Sequence, residues 1–155
     1  MYIVIIIVVV CLLPFGFLAI QSVLASRPDD LGVAEGKLRP CPNSPNCVCT
    51  SSEDDKEHHM DAIPLEGTNE EAIARLKKAL ATLPRTEIIT EKENYIHAES
   101  TSLIFRFVDD VEFFVDTDAN KIHFRSASRV GYSDLGVNRA RMEQLRKAYE
   151  ESIEK

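Results

Sequence analysis

Leu103-Ile104-Phe105-Arg106-Phe107-Val108-Asp109-Asp110-Val111-Glu112-Phe113-Phe114-Val115 is the stretch on which the fold turns. Apolar and polar residues alternate on both sides of the Asp109-Asp110 pair, the pattern of two half-buried strands joined by a reversal. Apolar side chains must share one face, and a slip of one residue exchanges the faces. A three-residue loop over 108–110 sets Phe105 opposite Phe113 and Phe107 opposite Val111. A two-residue loop would set Phe107 against Glu112 and is rejected. Upstream, a Thr101-Ser102 turn puts Ala98 opposite Phe105 and Ile96 opposite Phe107. Downstream, Val115 meets Ile122 and Phe113 meets Phe124. The expectation is a five-stranded antiparallel meander with strands at 87–92, 95–100, 103–108, 111–115 and 121–126.

Two helices flank these strands. Thr68 and Glu71 make a capping box, and Ile73, Leu76, Leu80 and Leu83 fall on one stripe before Pro84 stops the helix, which predicts 69–83. The second, over 137–153, carries Met142, Leu145, Tyr149 and Ile153, with either Asp134 or Asn138 as its cap. Both stripes cover the apolar side of the meander. The predicted class is α+β, a two-layer sandwich with two helices on one face.

The same register fixes the other face. His97, Arg106, Glu112 and Arg125 form one transverse row, and Glu99, Ile104, Phe114 and His123 the next. Cross-strand neighbours lie about 5 Å apart, so Glu112 bridges two arginines and leaves a guanidinium over for an anion. The plain alternative is a solvated ladder of ion pairs. The stretch 125–139 is densest in polar groups and adds Ser126, Ser128, Arg129, Asp134, Asn138 and Arg139 to the candidate ligand-binding set. Gly131 and Gly136 precede a helix N-terminus, where free N–H groups favour anions. Alternatively, Arg129 and Arg139 pin this loop to Asp109, Asp110 or Asp134.

The chain has 155 residues, 45% hydrophobic and 28% charged, with no Trp and a formal charge of −7. Between Lys121 and Lys147 there are seven basic and two acidic residues, a local +5 that leaves −12 elsewhere. An acidic total argues against nucleic acid as a partner, and the basic segment argues for an anionic small molecule or an acidic protein. Residues 1–26 carry no charge, and 2–20 form an apolar run of 19 residues, close to what a helix needs to cross a bilayer. This reads as a transmembrane anchor or uncleaved signal; cleavage after Ala25 is the alternative. Residues 27–40 read as a tether, and 41–155 as a single α+β domain.

Cys41 and Cys47 enclose a five-residue loop with two prolines that a disulfide would close. A metal site using Cys41, Cys47, Cys49 and His58 or His59 fits no standard zinc spacing, and no nucleophile motif surrounds Cys49. The histidine pair reads as surface, and acids at a hairpin tip as solvated. No metal, cofactor or catalytic residue is predicted. A disulfide favours an oxidising compartment. Positive-inside counting on Arg27, Lys37 and Arg39 points to the cytoplasm, but large domains cross largely regardless of charge. The domain is therefore expected on the extracytoplasmic side, periplasmic or lumenal.

The stretches CPNSPNCV (41–48), FRFVDDVEFFVD (105–116) and RSASRVGYSDLGVNRARMEQLR (125–146) resemble the bacterial and plastid family catalogued as domain of unknown function 1499. Cys49 is a departure, since the family usually has Ser there. The resemblance implies a small envelope or organelle-membrane protein, and no activity. The leading expectation is a membrane-tethered, non-enzymatic binding or scaffolding domain for an anionic ligand or acidic partner. One rival is an envelope hydrolase or transferase using the same arginines with His97 or Asp110 as base. The other is a metal or redox module at Cys41, Cys47 and His59.

Overall fold

The computed structural model describes residues 16, 20–22, 24–51 and 54–153. In chain order these give β1 (Val33–Ala34), β2 (Lys37–Leu38), β3 (Cys47–Cys49), β4 (Ile63–Pro64), α1 (Asn69–Ala81), β5 (Thr86–Lys92), β6 (Tyr95–Thr101), β7 (Val108–Asp116), β8 (Lys121–Ser128) and α2 (Val137–Glu151). β5 to β8 form an antiparallel meander. β3 and β4 pair along the outer edge of β8, making a six-stranded sheet. β1 and β2 form a separate hairpin. The anchor expected within 1–26 lies largely outside the described residues. Among the described residues, no helix is long and apolar enough to cross a membrane.

The helix-covered layer follows from the alternation. Ile96, Ala98, Val111, Phe113, Val115, Ile122 and Phe124 project from one face, and Ile73, Leu76 and Leu80 of α1 and Met142, Leu145 and Tyr149 of α2 close over them. Val115 meets Ile122 and Phe113 meets Phe124, as the pattern requires, with the two phenyl centroids 6.4 Å apart. The Thr68–Glu71 capping box forms in both directions. At α2 the N-cap position is Gly136, in a left-handed turn, while Asp134 accepts from the N–H groups of Gly136 and Asn138.

The strand expected at 103–108 does not form. β6 pairs directly with β7, so Ala98 faces Val111 and Ile96 faces Phe113, the partners expected for Phe105 and Phe107. Residues 102–107 are a closed loop: the Phe107 N–H donates to Ser102 Oγ and the Ser102 N–H to the Phe107 carbonyl. Arg106 takes φ 59, which turns the chain. Phe105 and Phe107 pack on each other, centroids 5.5 Å apart, and lie in this loop, outside the named strands. β7 instead extends backwards through Asp110 and Asp109. The acids assigned to a hairpin tip are therefore strand residues, both buried.

Candidate functional site

On the face away from the helices, β6 presents Tyr95, His97 and Glu99, β7 presents Asp110, Glu112 and Phe114, and β8 presents His123 and Arg125. His97 lies opposite Glu112, Glu112 opposite Arg125, and Glu99 opposite Asp110. This is the expected row without Arg106, which sits exposed in the 102–107 loop. The row is not a solvated ladder. Glu112 is 0% exposed, and His97, Asp110 and Arg125 are each 2% exposed.

The stretch read as a tether supplies much of the cover. The Gly32 N–H donates to Glu112 Oε1 at 2.8 Å, and Arg27 Nε donates to Glu99 Oε1 at 2.8 Å. Leu38 packs with Tyr95 and Phe114 in a small apolar cluster. The segment before the hairpin thus supplies the bonds to the charged layer, and the hairpin adds Leu38 beside it.

Beneath it the charges are matched. Asp110 accepts two bonds from Arg129, Nε at 2.8 Å and a terminal nitrogen at 2.6 Å, and lies 2.8 Å from His97 Nε2. Arg129 also pairs with Glu99, which receives Arg27. Glu112 accepts from the Tyr95 hydroxyl at 2.8 Å and pairs with Arg125 at 3.3 Å. Three guanidinium groups face three carboxylates, so the positive surplus expected from the sequence is absent. Burial opposes ionisation of Asp110, but bonds from Arg129 and His97 outweigh it and hold the carboxyl below its ordinary value. Glu99 is held low in the same way by Arg129 and Arg27. Burial and the neighbouring Glu112 push the Tyr95 hydroxyl well up, so it stays a donor. His97, Glu99 and Asp110 bring ligand atoms within 4.8 Å of one another, a geometry that would suit a metal. Arg129 already supplies the cation to both carboxylates.

The other expected residues are elsewhere. Ser126, Ser128 and Asn138 form a cluster on the helix side: Ser126 Oγ donates to Asn138 Oδ1 at 2.6 Å, and Asn138 Nδ2 donates to Ser128 Oγ and to the Asn46 carbonyl, both at 3.0 Å. Arg141 joins it, donating to Asn138 at 2.6 Å and pairing with Asp109 at 2.5 Å. Arg139 binds the carbonyls of Glu57 and His59. Asp134 fills the helix N-terminus offered to an anion. Sequence reasoning missed Tyr95, Arg27, Arg141 and Asn46. Glu99 was placed on the correct face, and of the pairings offered as the alternative for Arg129, the one with Asp110 forms, with Asp110 in a strand and not in the expected turn.

A more accessible polar recess of about 410 Å³ lies beside β8, lined by Lys37, Thr50, Ser51, Asp54, Asp116 and His123 among others. Thr50 Oγ1 is 3.0 Å from His123 Nδ1, and Asp116 lies 4.0 Å from His123 Nε2. Burial, with help from Lys121 and against Asp116, lowers the His123 pKa. Nearby, Cys41 and Cys47 form the expected disulfide. His58, read as surface, is buried; its Nδ1 meets Asp55 at 2.5 Å and Nε2 the Ser44 carbonyl at 3.1 Å.

No curated protein and no solved structure gives a significant match to the chain. The family model described as protein of unknown function (DUF1499) matches residues 37–149, from β2 almost to the end of α2. The chain belongs to the DUF1499 family.

Proposed function

We propose that the protein is a membrane-tethered binding module with its domain on the extracytoplasmic side, and that its ligand site is the recess at His123. One observation carries the choice of site. Arg125 and Arg129 spend their charge on buried carboxylates, whereas the recess keeps Lys37 exposed at its rim and Thr50 and His123 at its floor. Lys37 suits an anionic group, and Asp54 and Asp116 suit hydrogen-bond donors on the same ligand. Tethering rests on the uncharged run 2–20, and the outward side on the Cys41–Cys47 disulfide.

A thermal-shift screen of the full chain in detergent, against phosphates, carboxylates and lipid headgroups, tests the site. Hits that lose their shift in Lys37→Ala and His123→Ala support it. Hits that survive both substitutions sink it. Free Cys41 and Cys47 thiols in protein taken from its native membrane would remove the argument for the outward side.

A hydrolytic reading has one observation in its favour, the Thr50–His123–Asp116 sequence of neighbours. It requires ester or amide turnover that disappears in His123→Ala. His97 and Asp110, the bases of the rival reading, are buried and paired with each other and with Arg129. The cysteines of the proposed metal module are consumed in the disulfide.

A further inference from the structure

The two ends of the sheet differ in chemistry. Loops 102–107 and 129–136 leave the same end, where Thr101 pairs with Val108 and the Arg129 N–H donates to the Val108 carbonyl. On these loops Leu103, Ile104, Tyr132 and Leu135 are 69%, 78%, 77% and 93% exposed. Leu135 holds φ 56, a conformation that aliphatic side chains rarely adopt, and leaves nearly all of its surface exposed. The exposed charge on these loops is basic, Arg106; beside Thr101 stand the exposed Arg85 and, two residues on, the exposed Glu87. The carboxylate of Asp134 is taken by backbone N–H groups. At the opposite end, the turns at 91–94 and 116–121 carry Glu91, Glu93, Asp116 and Asp118 against Lys92 and Lys121.

The uncharged N-terminal segment arrives at the apolar end. Leu24 and Ala25 line one shallow recess with Val130 and Gly131. Resting on the tether proposed above, we infer that this end of the domain lies against the bilayer that the 19-residue apolar run enters. Leu103, Ile104 and Leu135 enter the headgroup–acyl boundary, Tyr132 sits at the interface, and Arg85 and Arg106 reach lipid phosphates. The acidic end faces away from the membrane. The recess at His123, lined by Asp116, then lies toward the end that faces away from the membrane.

The chain contains no Trp, so single indoles report position directly. Full-length protein carrying Tyr132→Trp or Asp118→Trp, both at exposed positions, is reconstituted in phosphatidylcholine–phosphatidylglycerol vesicles with brominated acyl chains. The indole at 132 is expected to shift to the blue and lose most of its emission, while the indole at 118 keeps its own. Adding Leu103→Asp and Ile104→Asp to the 132 probe is expected to restore emission while the protein still floats with the vesicles. Floating protein with an unquenched indole at 132, or equal quenching at both positions, overturns the docking and leaves the tether standing. A blue shift at 132 without quenching marks a protein partner, such as a second copy, and also overturns it. Protein that fails to float removes tether and docking together.

Discussion

Glu112 and Phe113 are neighbours in β7, and both are fully buried. Their side chains leave opposite faces of one strand, so the sheet has two interiors of different chemistry. Under the helices, Phe113 meets Phe124, Ile96 and the α1 and α2 stripes, and burial alone stabilises the layer without requiring particular partners. Under the β1–β2 hairpin, Glu112 meets Tyr95, Arg125 and the Gly32 N–H, and each bond must be made because water is excluded. The apolar layer tolerates exchange among shapes of similar volume. The charged layer tolerates none of its members being removed singly, and it holds a short hairpin in place that has little hydrocarbon of its own. Arg125 Nε is buried with no hydrogen-bond partner among the described residues.

The largest effects test whether the two interiors are equally closed. Phe113→Ala should cost about 3–5 kcal/mol in chemical denaturation, through lost transfer energy and a cavity. Glu112→Ala should cost about 3–5 kcal/mol as well, because it leaves Arg125 charged and uncompensated. A loss below about 1 kcal/mol for Glu112→Ala would mean that the charged face is effectively solvated. The pair Glu112→Leu with Arg125→Met sharpens the contrast. It should recover only part of the single-variant loss: the unpaired charge is gone, but the Tyr95 hydroxyl and the Gly32 N–H lose their acceptor.

Next in size, replacing Cys41 and Cys47 by Ser should lower stability by about 2–3 kcal/mol, the chain entropy released by opening that short loop. Asn46, inside the loop, is tied to Asn138 and Gly131, so amide exchange should rise there before it rises in α1. Thr68→Ala removes the cap of α1 and should cost about 1 kcal/mol, felt only on the helix side. The last effect shows only in acid. Asp110 and Glu99 have carboxyls held below their ordinary 3.8 and 4.5, so their contribution is complete above those values and drains away as pH falls through the lower folded ones. Stability should stay level in this term from neutrality to about pH 5 and then fall. Arg129→Gln should shrink that fall, because Asp110 and Glu99 lose the cation that holds them low, whereas Phe113→Ala should displace the whole curve without moving its acid limb.

The helices and the β7–β8 register were readable because their determinants are local. A capping box, a stripe at helical spacing and a four-residue turn between β7 and β8 act within a few residues of one another. The meander failed at 103–108 because Leu103, Phe105 and Phe107 alternate as convincingly as a strand does. What removed them was competition: β7 reaches backwards through two acids to pair with β6. Placing those acids at a hairpin tip made them read as solvated; the pairing of Arg129 with Asp110 was foreseen as an alternative, but that of Arg141 with Asp109, 32 residues away, was not. Of the candidate site, His97, Glu112 and Arg125 were found in one row. Their burial could not be read, since residues 27–38 show no periodicity.

The amino-acid order alone determined the α+β class, the two amphipathic helices, the pairing of Phe113 with Phe124 and the Cys41–Cys47 closure. Each depends on period, spacing or short loops, which a linear chain displays. Only the tertiary structure decided which charges lie inside. Whether a carboxylate is stable in the interior depends on cations and N–H groups brought to it from Arg27, Gly32, Arg125 and Arg129, far away along the chain. Alternation assigns a side chain to a face, but what covers that face is set by distant residues.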